Sequence, residues 1–193
     1  MRITGGALKG RRVAVPPGVI RPSMDRMRES VFAALGNLEG ASFLDIFSGT
    51  GIIALEAASR GAVYIEAVEM DRLKREVLIK NVAISPVRIH CHFVSAELYL
   101  RRAKRDFDYI FCDPPFPYRH RWELAAGIAA SPLAREGTLI LLHRPREDFF
   151  DGDMDGDMAF IQKSESREYG RSVVEFLRVG NKEAKNVQIM EES

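Results

Sequence analysis

The sequence predicts an α/β fold in which a mostly parallel β-sheet is covered by helices on both faces. From residue 42 onward, short apolar segments of strand character alternate with longer segments of helical character. Strands with few polar residues, separated by helices, are typical of parallel sheets that are buried on both sides. The first apolar segment also leads directly into a glycine turn, Gly49-Thr50-Gly51, and then into a helical segment. This order of strand, glycine turn and helix is common in such folds.

Length and composition favour one globular domain. The chain has 193 residues, 46% of them hydrophobic and 28% charged, as in proteins that bury their own core. No apolar run approaches the roughly 20 residues that span a bilayer, and the basic start lacks the apolar core of a signal peptide. The two cysteines, Cys91 and Cys112, have no metal-ligand spacing. We therefore expect a cytoplasmic, reduced protein without membrane association or metal, and we favour a monomer.

Residues 1–40 are expected to form an N-terminal extension. Arg2–Val15 carries glycines between short β-like runs, which predicts a hairpin or an extended flap. A helix follows, with Ser23 as its expected N-cap and Asp25 in its first turn. Gly36 and Gly40 mark the end of this helix.

This extension is basic, although the whole chain carries a net charge of only +1. Residues 1–40 hold seven Lys or Arg against three acidic residues, a net charge of +4. A basic lobe on a mildly acidic body is consistent with contact to a polyanion. A solvated, arginine-rich arm explains the charge equally well. The basic residues are Arg2, Lys9, Arg11, Arg12, Arg21, Arg26 and Arg28.

The main domain is expected to cover residues 41–180. Its last two strands are joined by a turn at Tyr169-Gly170, which predicts an antiparallel hairpin at the sheet edge. The polar segment 181–193 is expected to be a disordered tail. In chain order, the predicted elements are strand Ser42–Ile46, helix Ile52–Arg60, strand Val63–Val68, helix Arg72–Ala83, strand Arg88–Val94, helix Glu97–Arg102, strand Phe107–Cys112, helix Trp122–Ala130, and strands Thr138–Leu142, Ala159–Ser166 and Ser172–Val179.

The glycine turn has a partner acid further along the chain. Residues 49–54 satisfy the pattern G-x-G-x-x-A, and Glu69 follows Gly49 by 20 residues. An acid at this spacing, at the carboxyl end of a strand, is typical of a site that binds ribose hydroxyls. Glu66 lies in the middle of the same strand and is a poorer candidate. The pattern therefore predicts an adenosine-type ligand, although a plain strand–helix turn also explains the glycines.

A second motif, Asp113-Pro114-Pro115-Phe116, directly follows the apolar strand 107–112. The two prolines stiffen the backbone and remove two N–H donors, so that carbonyls remain free to accept hydrogen bonds. A carboxylate, a free carbonyl and an aromatic face suit a planar base that carries an exocyclic amine. A proline-rich loop with a core-facing phenylalanine is the alternative, which the position at a strand's end disfavours.

These residues together carry a family resemblance. The chain resembles class I S-adenosylmethionine-dependent methyltransferases that modify an exocyclic amine. The residues that carry this likeness are Asp45 with the segment FSGTG, Glu69 and the segment DPPF. The segments RITGGALKGRRVAVP and RPSMDRMRESVFAAL closely resemble the start of the RsmD-type family, which makes N2-methylguanine in bacterial small-subunit (16S) ribosomal RNA. The likeness extends from about residue 2 to residue 178. It implies a Rossmann-like, seven-stranded methyltransferase sheet with an antiparallel final strand.

The resemblance also implies roles for individual residues. The basic residues of the extension would bind ribosomal RNA or the small ribosomal subunit. Ser95 departs from the acid that such families usually place before Ala96, so the contact to adenine changes character. The implied catalytic residues are Asp113, Pro114, Pro115 and Phe116. The implied cofactor-binding residues, for S-adenosyl-L-methionine, are Asp45, Phe47, Ser48, Gly49, Thr50, Gly51, Glu69, Met70, Ser95 and Ala96.

Three other functions stay open at this point. An adenine-N6 methyltransferase acting on RNA or DNA is one, because motifs like DPPF serve both amines. An NAD-dependent oxidoreductase is supported only by the glycine pattern and Glu69. A non-catalytic RNA-binding module that keeps the fold is the third.

The remaining signals are weaker. The segment Asp151–Asp157 matches the opening of a calcium loop but has Gln162 at the twelfth position, which favours an acidic surface loop. The segment Tyr118–Trp122 mixes basic and aromatic residues, consistent with RNA contact or with the polar start of a helix. The histidines, at positions 90, 92, 120 and 143, lack catalytic or metal spacing.

Overall fold

The strands and helices follow the predicted alternation closely. The computed structural model describes residues 1–15, 22–148 and 158–181. Within them the strands are β1 (Ser42–Ile46), β2 (Tyr64–Val68), β3 (Ile89–His92), β4 (Tyr109–Cys112), β5 (Leu139–Pro145), β6 (Ile161–Tyr169) and β7 (Ser172–Val179). The helices are α1 (Pro22–Leu35), α2 (Ile52–Ser59), α3 (Arg75–Val82), α4 (Ala96–Arg101) and α5 (Arg121–Ala130), with a 3₁₀ turn at Arg72–Lys74 before α3.

The strand order is β3-β2-β1-β4-β5-β7-β6. The pairs β1–β2, β2–β3 and β4–β5 are parallel, whereas β7 is antiparallel to both β5 and β6. The prediction of a seven-stranded, mostly parallel sheet with an antiparallel C-terminal strand is therefore confirmed. The chain divides into two compact units, one formed by Met1–Tyr99 and one that begins at Leu100.

In the first unit, helix α2 is buried over its whole length. Its sequence, IIALEAAS, has no polar face, and every residue from Ile52 to Ser59 is buried. A helix that is apolar all round belongs in the interior. The N-terminal segment covers part of it, because the Ala7 N–H donates to the Ser59 carbonyl at 2.7 Å and the Ser59 hydroxyl donates to the Gly5 carbonyl at 2.5 Å.

The predicted hairpin at the N-terminus is small and packs closely on α2. Arg2 and Arg12 form an antiparallel bridge, supported by a hydrogen bond from Ile3 N–H to the Arg11 carbonyl at 2.9 Å. Gly6 has a φ of 73°, and a Cβ there would lie 1.7 Å from the Ser59 carbonyl oxygen. Only glycine fits this contact. The extension thus packs on the body of its unit through its backbone.

A buried charge network holds this packing together. Glu56 on α2 is 0% exposed, and its carboxylate accepts hydrogen bonds from the Thr4 N–H at 2.8 Å and from Arg28 Nε at 2.9 Å. Arg60 pairs with the same carboxylate. Arg28 also donates from Nη2 to the Arg2 carbonyl at 2.7 Å. The buried carboxylate of Glu56 and its partners therefore link α1 and α2 with the N-terminal hairpin.

The beginning of helix α1 differs from the sequence-based expectation. The helix starts at Pro22 rather than after Ser23, so Ser23 lies inside the first turn and is not the N-cap. Proline is favoured at the first helical position because its missing N–H has no intrahelical partner there in any case. The end agrees with the prediction, since Gly36 follows the helix with a φ of 70°.

The second unit carries the strands that follow Leu100. β5 pairs with β4 from Tyr109↔Leu139 to Cys112↔Leu142, and it pairs with β7 along its whole length. Every residue of β5 is buried. The predicted hairpin of β6 and β7 is present, with its turn at residues 170–171, one residue later than predicted. Its register is irregular between residues 163 and 165.

Residues 1–15, 22–148 and 158–181 contain no helix with the length and apolar character that crossing a membrane requires. Over the same ranges, no three His, Cys, Asp or Glu side chains gather where they would hold a metal ion.

The buried network leads to a prediction about stability. Arg28→Met leaves Glu56 partly uncompensated in the interior, so the free energy of unfolding is expected to fall by about 3–5 kcal/mol. Arg26→Met removes an exposed charge from the same helix and is expected to change it by less than about 0.5 kcal/mol. Urea unfolding followed by circular dichroism measures both. Equal effects of the two changes would contradict the structural role of Arg28.

Candidate functional site

The glycine turn after β1 folds back on itself. Gly49 and Gly51 have φ values of 57° and 79°, and Phe47 has a φ of 65°, which is rare for a residue with a side chain. The Gly51 N–H donates to the Ser48 carbonyl at 2.8 Å, and the Ser48 N–H donates to the Val68 carbonyl at 2.9 Å. The turn therefore sets its own curvature and is tied to the end of β2. Non-glycine residues in this conformation cluster at ligand sites.

Asp45 holds the glycine turn through hydrogen bonds to its side chain. Its side chain is 1% exposed, and its Oδ2 accepts from the Ser48 hydroxyl at 2.6 Å and from the Ala54 N–H at 3.2 Å. The second contact places a carboxylate at the N-terminus of α2, where the helix dipole favours negative charge. Asp45 thus organises the turn and the first turn of the helix that follows.

Glu69 closes the turn from the neighbouring strand. It is 5% exposed, and it accepts from the Gly49 N–H at Oε2 (2.8 Å) and from the Asp71 N–H at Oε1 (2.8 Å). Gly49 and Glu69, which are 20 residues apart in the sequence, are therefore joined by a direct hydrogen bond. Each carboxylate oxygen can accept a further hydrogen bond.

Helix α3 presses against the turn at Gly51. A Cβ on Gly51 would lie 2.6 Å from Leu78 Cδ1 and 3.0 Å from Val82 Cγ1. Asn81, on the same helix and 4% exposed, donates from Nδ2 to the Thr50 carbonyl at 2.9 Å and accepts from the Ala14 N–H at 2.8 Å. Sequence reasoning missed Asn81, because a single asparagine in an amphipathic helix has no motif.

The other candidate cofactor residues have distinct surroundings. Met70 is 63% exposed, so its thioether is available to a ligand. The Ser95 hydroxyl accepts from the Leu98 N–H at 3.2 Å, which makes Ser95 the N-cap of α4. Serine is a preferred residue at that position. Ala96 is the buried first residue of the helix.

Glu66, the competing acid on β2, belongs to a cluster of its own. It is 6% exposed, accepts from the Tyr64 and Tyr99 hydroxyls at 2.7 Å each, and pairs with His92. Burial alone would raise the pKa of Glu66, but the hydrogen bonds from His92, Tyr64 and Tyr99 and the His92 charge outweigh it and lower this pKa from 4.5 to about 2. Both oxygens of its carboxylate are thus engaged by partners within this cluster.

The DPPF motif follows β4 directly, in the second unit. The Asp113 side chain is 23% exposed, and its Oδ1 lies 2.6 Å from Nδ1 of His143 on β5. Phe116 is 45% exposed, and its ring centroid lies 6.3 Å from that of His143. Pro114 is buried and Pro115 is exposed. The motif therefore places a partly exposed carboxylate and an exposed aromatic ring close to His143.

His143 and Arg121 are the residues of this region that sequence reasoning missed. His143 was set aside for lack of spacing, yet it contacts the motif from the next strand. Arg121 is 3% exposed and donates from Nη2 to the carbonyls of Pro115 (3.0 Å) and Phe116 (2.6 Å) and from Nη1 to Asp148 (2.5 Å). The contacts of His143 with Asp113 and of Arg121 with Asp148 are not encoded locally, because the partners lie 30 and 27 residues apart in the chain. The Pro115 and Phe116 carbonyls, in contrast, lie only six and five residues before Arg121.

Within the segment Tyr118–Trp122, residues 118–120 precede helix α5, and only Arg121 and Trp122 belong to it. Arg121 opens α5, and His120, 75% exposed, lies 3.2 Å from Glu123 through Nδ1. Phe116, Tyr118 and Arg119 contribute to the walls of a pocket of about 410 Å³ beside the motif.

The candidate RNA-binding residues divide into three groups. Arg2, Lys9, Arg11, Arg12 and Arg26 are exposed. Arg28 is not available to a phosphate, because its side chain is 2% exposed and holds Glu56; its assignment to an RNA surface is corrected. Arg21 lies outside the described residues, as does the acidic segment Asp151–Asp157.

The strand order, the antiparallel β7 and the glycine turn after β1 define the fold of class I methyltransferases. The chain belongs to the family described as "Conserved hypothetical protein 95", whose model matches residues 1–178. The prediction of an RsmD-type protein is thereby confirmed.

Three relatives illustrate this membership. "Ribosomal RNA small subunit methyltransferase D" of Escherichia coli (strain K12) is 38% identical over 120 residues, 60% of this chain and 60% of that protein. "Putative rRNA methyltransferase YlbH" of Bacillus subtilis (strain 168) is 30% identical over 154 residues, 76% of this chain and 84% of the relative. The solved structure of "Putative methyltransferase yhhF from Escherichia coli" superposes with a TM-score of 0.82 at 28% identity, covering 94% of this chain and 99% of that one.

The Glu66 cluster predicts how stability depends on pH. Because the pKa of Glu66 is lower in the folded than in the unfolded chain, its contribution is complete above about pH 4.5 and is lost as the pH falls towards 2. Between pH 6 and pH 3 the free energy of unfolding of the wild type is expected to fall by about 2 kcal/mol more than that of Glu66→Gln. Urea unfolding across this range measures the difference. The exposed Glu136→Gln serves as control, and parallel curves for wild type and Glu66→Gln would contradict the assignment.

Proposed function

We propose that this protein transfers a methyl group from S-adenosylmethionine to the exocyclic N2 amine of a guanine in small-subunit ribosomal RNA. The observation that carries the proposal is the DPPF motif, which offers a partly exposed carboxylate and a 45% exposed phenylalanine at the carboxyl end of a parallel strand. Family membership supports the same function. Ligands of α/β sheets bind at the carboxyl ends of the strands.

The glycine turn and its acids fit the proposed cofactor. A Cβ on Gly49 would meet no described atom closer than 3.9 Å, so the turn is open at that point. Glu69 accepts one N–H from Gly49 and one from Asp71, and Lys74 Nζ lies 3.8 Å from its Oε2. Each carboxylate oxygen has a second acceptor position, which suits the two ribose hydroxyls. The exposed Met70 suits an adenine face. Ser95, a neutral residue that caps α4, would contribute a hydroxyl to the adenine in place of a carboxylate.

In the proposed methyl transfer, the main task of the protein is to align the guanine amine with the methyl group of the cofactor. S-adenosylmethionine supplies a methyl group already activated by its positive sulfur. The guanine amine is a weak nucleophile because its lone pair is delocalised into the ring. Asp113 and the Pro114 carbonyl would accept hydrogen bonds from this amine, orient its lone pair and stabilise the positive charge that develops on nitrogen. The proton that the methylated amine loses would pass to the Asp113 carboxylate and then to solvent.

The basic extension is proposed to hold the RNA. Arg2, Lys9, Arg11, Arg12 and Arg26 are exposed and would contact phosphates without reading sequence. The target guanine has to leave its stack to reach a pocket, which costs least in unpaired or mismatched RNA. Phe116 offers a ring on which the extruded base can stack.

Asp113→Ala tests the catalytic role that this proposal gives to the DPPF motif. The variant is expected to bind S-adenosylhomocysteine with nearly wild-type affinity but to lower kcat for methyl transfer at least about tenfold. Calorimetry and transfer of a radiolabelled methyl group measure the two quantities. Asp106→Ala is the control, because it removes an exposed carboxylate of the same unit whose ion pair contributes little.

Two results would contradict the proposal. Binding of NAD but not of S-adenosylhomocysteine would assign the turn to a dehydrogenase. Undiminished methyl transfer by Asp113→Ala would remove the carboxylate from the reaction.

A further inference from the structure

His143 lies beside the proposed catalytic carboxylate of Asp113, and its two ring nitrogens have different surroundings. It lies on β5, is 5% exposed, and places Nδ1 2.6 Å from Asp113 Oδ1. Its other ring nitrogen, Nε2, is buried and has no hydrogen-bond partner among the described residues. The ring therefore directs its one strong polar contact at Asp113.

The hydrogen bond between His143 Nδ1 and Asp113 Oδ1 has a defined donor. An ionised carboxylate has no proton to give and only accepts, and the proposed reaction needs Asp113 in that form. The proton of the contact therefore resides on Nδ1 of His143. A hydrogen bond to an ionised acceptor is short and strong, in agreement with 2.6 Å. A donor at Oδ1 leaves the second oxygen, Oδ2, for other contacts.

The sheet accounts for the meeting of the two residues. β4 and β5 are parallel and pair Cys112 with Leu142, so the next residues along the two strands, Asp113 and His143, lie side by side. His143 is held in place on its other side by β7, where it pairs with Val174. The backbone of His143 is thus held in the sheet, and a side chain on a strand is a more rigid support than one in a loop.

We propose that His143 is a positioning residue for methyl transfer. Its Nδ1–H holds Oδ1 of Asp113, sets the rotation of the carboxylate and leaves Oδ2 to accept from the substrate amine. As the new N–C bond forms, the methyl–sulfur bond of S-adenosylmethionine would break and S-adenosylhomocysteine would leave. The amine proton would go to Oδ2 and from there to solvent, while the proton on Nδ1 would stay in place. This role rests on the function proposed above, because it requires Asp113 to act on an amine.

The nearby Phe116 gives His143 a second contact to the motif. The two ring centroids are 6.3 Å apart at an interplanar angle of 58°, within the range of aromatic pairs. A purely packing role for His143 would depend on this ring contact and not on the nitrogen. The two roles therefore predict opposite responses to substitution.

Two variants separate the positioning role from packing. His143→Asn keeps a donor close to the place of Nδ1 but loses the ring, whereas His143→Phe keeps the ring and loses the donor. We expect His143→Phe to lower kcat about tenfold or more with unchanged KM for RNA, and His143→Asn to recover most of that loss. The reverse order, with Phe tolerated and Asn impaired, would overturn the proposal, as would equal kcat losses in two folded variants.

A spectroscopic measurement tests the same contact without turnover. Nitrogen-15 NMR of the wild type is expected to show His143 protonated at Nδ1 and bare at Nε2, and the Nδ1 proton signal is expected to disappear or move upfield in Asp113→Ala. A His143 protonated only at Nε2 would overturn the inference. If the NMR result holds but the wild type transfers no methyl group to RNA, the proposed function fails while the contact stands.

Discussion

Two buried carboxylates give the glycine turn its shape. Asp45, 1% exposed, and Glu69, 5% exposed, accept hydrogen bonds from the turn on two sides, at Ser48 and at Gly49. A carboxylate buried without partners is costly, so each is most stable when the turn supplies its donors. The turn holds Phe47 in a left-handed conformation that a free loop would avoid. The proposed cofactor site depends on this mutual stabilisation.

The second unit uses the same physical solution with different groups. Arg121, nearly buried, donates to the carbonyls of Pro115 and Phe116, and His143 contacts the Asp113 carboxylate. Prolines cannot donate through their own nitrogen, so a loop rich in proline offers carbonyls that another group has to satisfy. Arg121 satisfies two of them and leaves the carboxylate and ring of the motif at the surface. In both units, charged side chains are buried to position a short loop.

Sequence patterns predicted the elements well because they depend on local periodicity. The strands were placed within three residues of their ends, and β1 was placed without error. Residues whose role depends on long-range packing were not predicted: Arg28 looked like one more exposed cation until its contact with Glu56 was seen. The role of His143 is not encoded in the spacing of the histidines, because its partner Asp113 is 30 residues away, in the loop after β4. The expected N-cap at Ser23 is wrong because Pro22 starts the helix two residues earlier than a cap at Ser23 implies.

Nucleoside mass spectrometry tests the central claim most directly. Purified protein, given S-adenosylmethionine with a deuterated methyl group, is offered small-subunit ribosomal RNA from cells that lack the protein, both as free RNA and as assembled subunits. The account predicts that the heavy methyl group is recovered in N2-methylguanosine with at least one of the two substrates. Recovery in N6-methyladenosine, or in no nucleoside from either substrate, would contradict it.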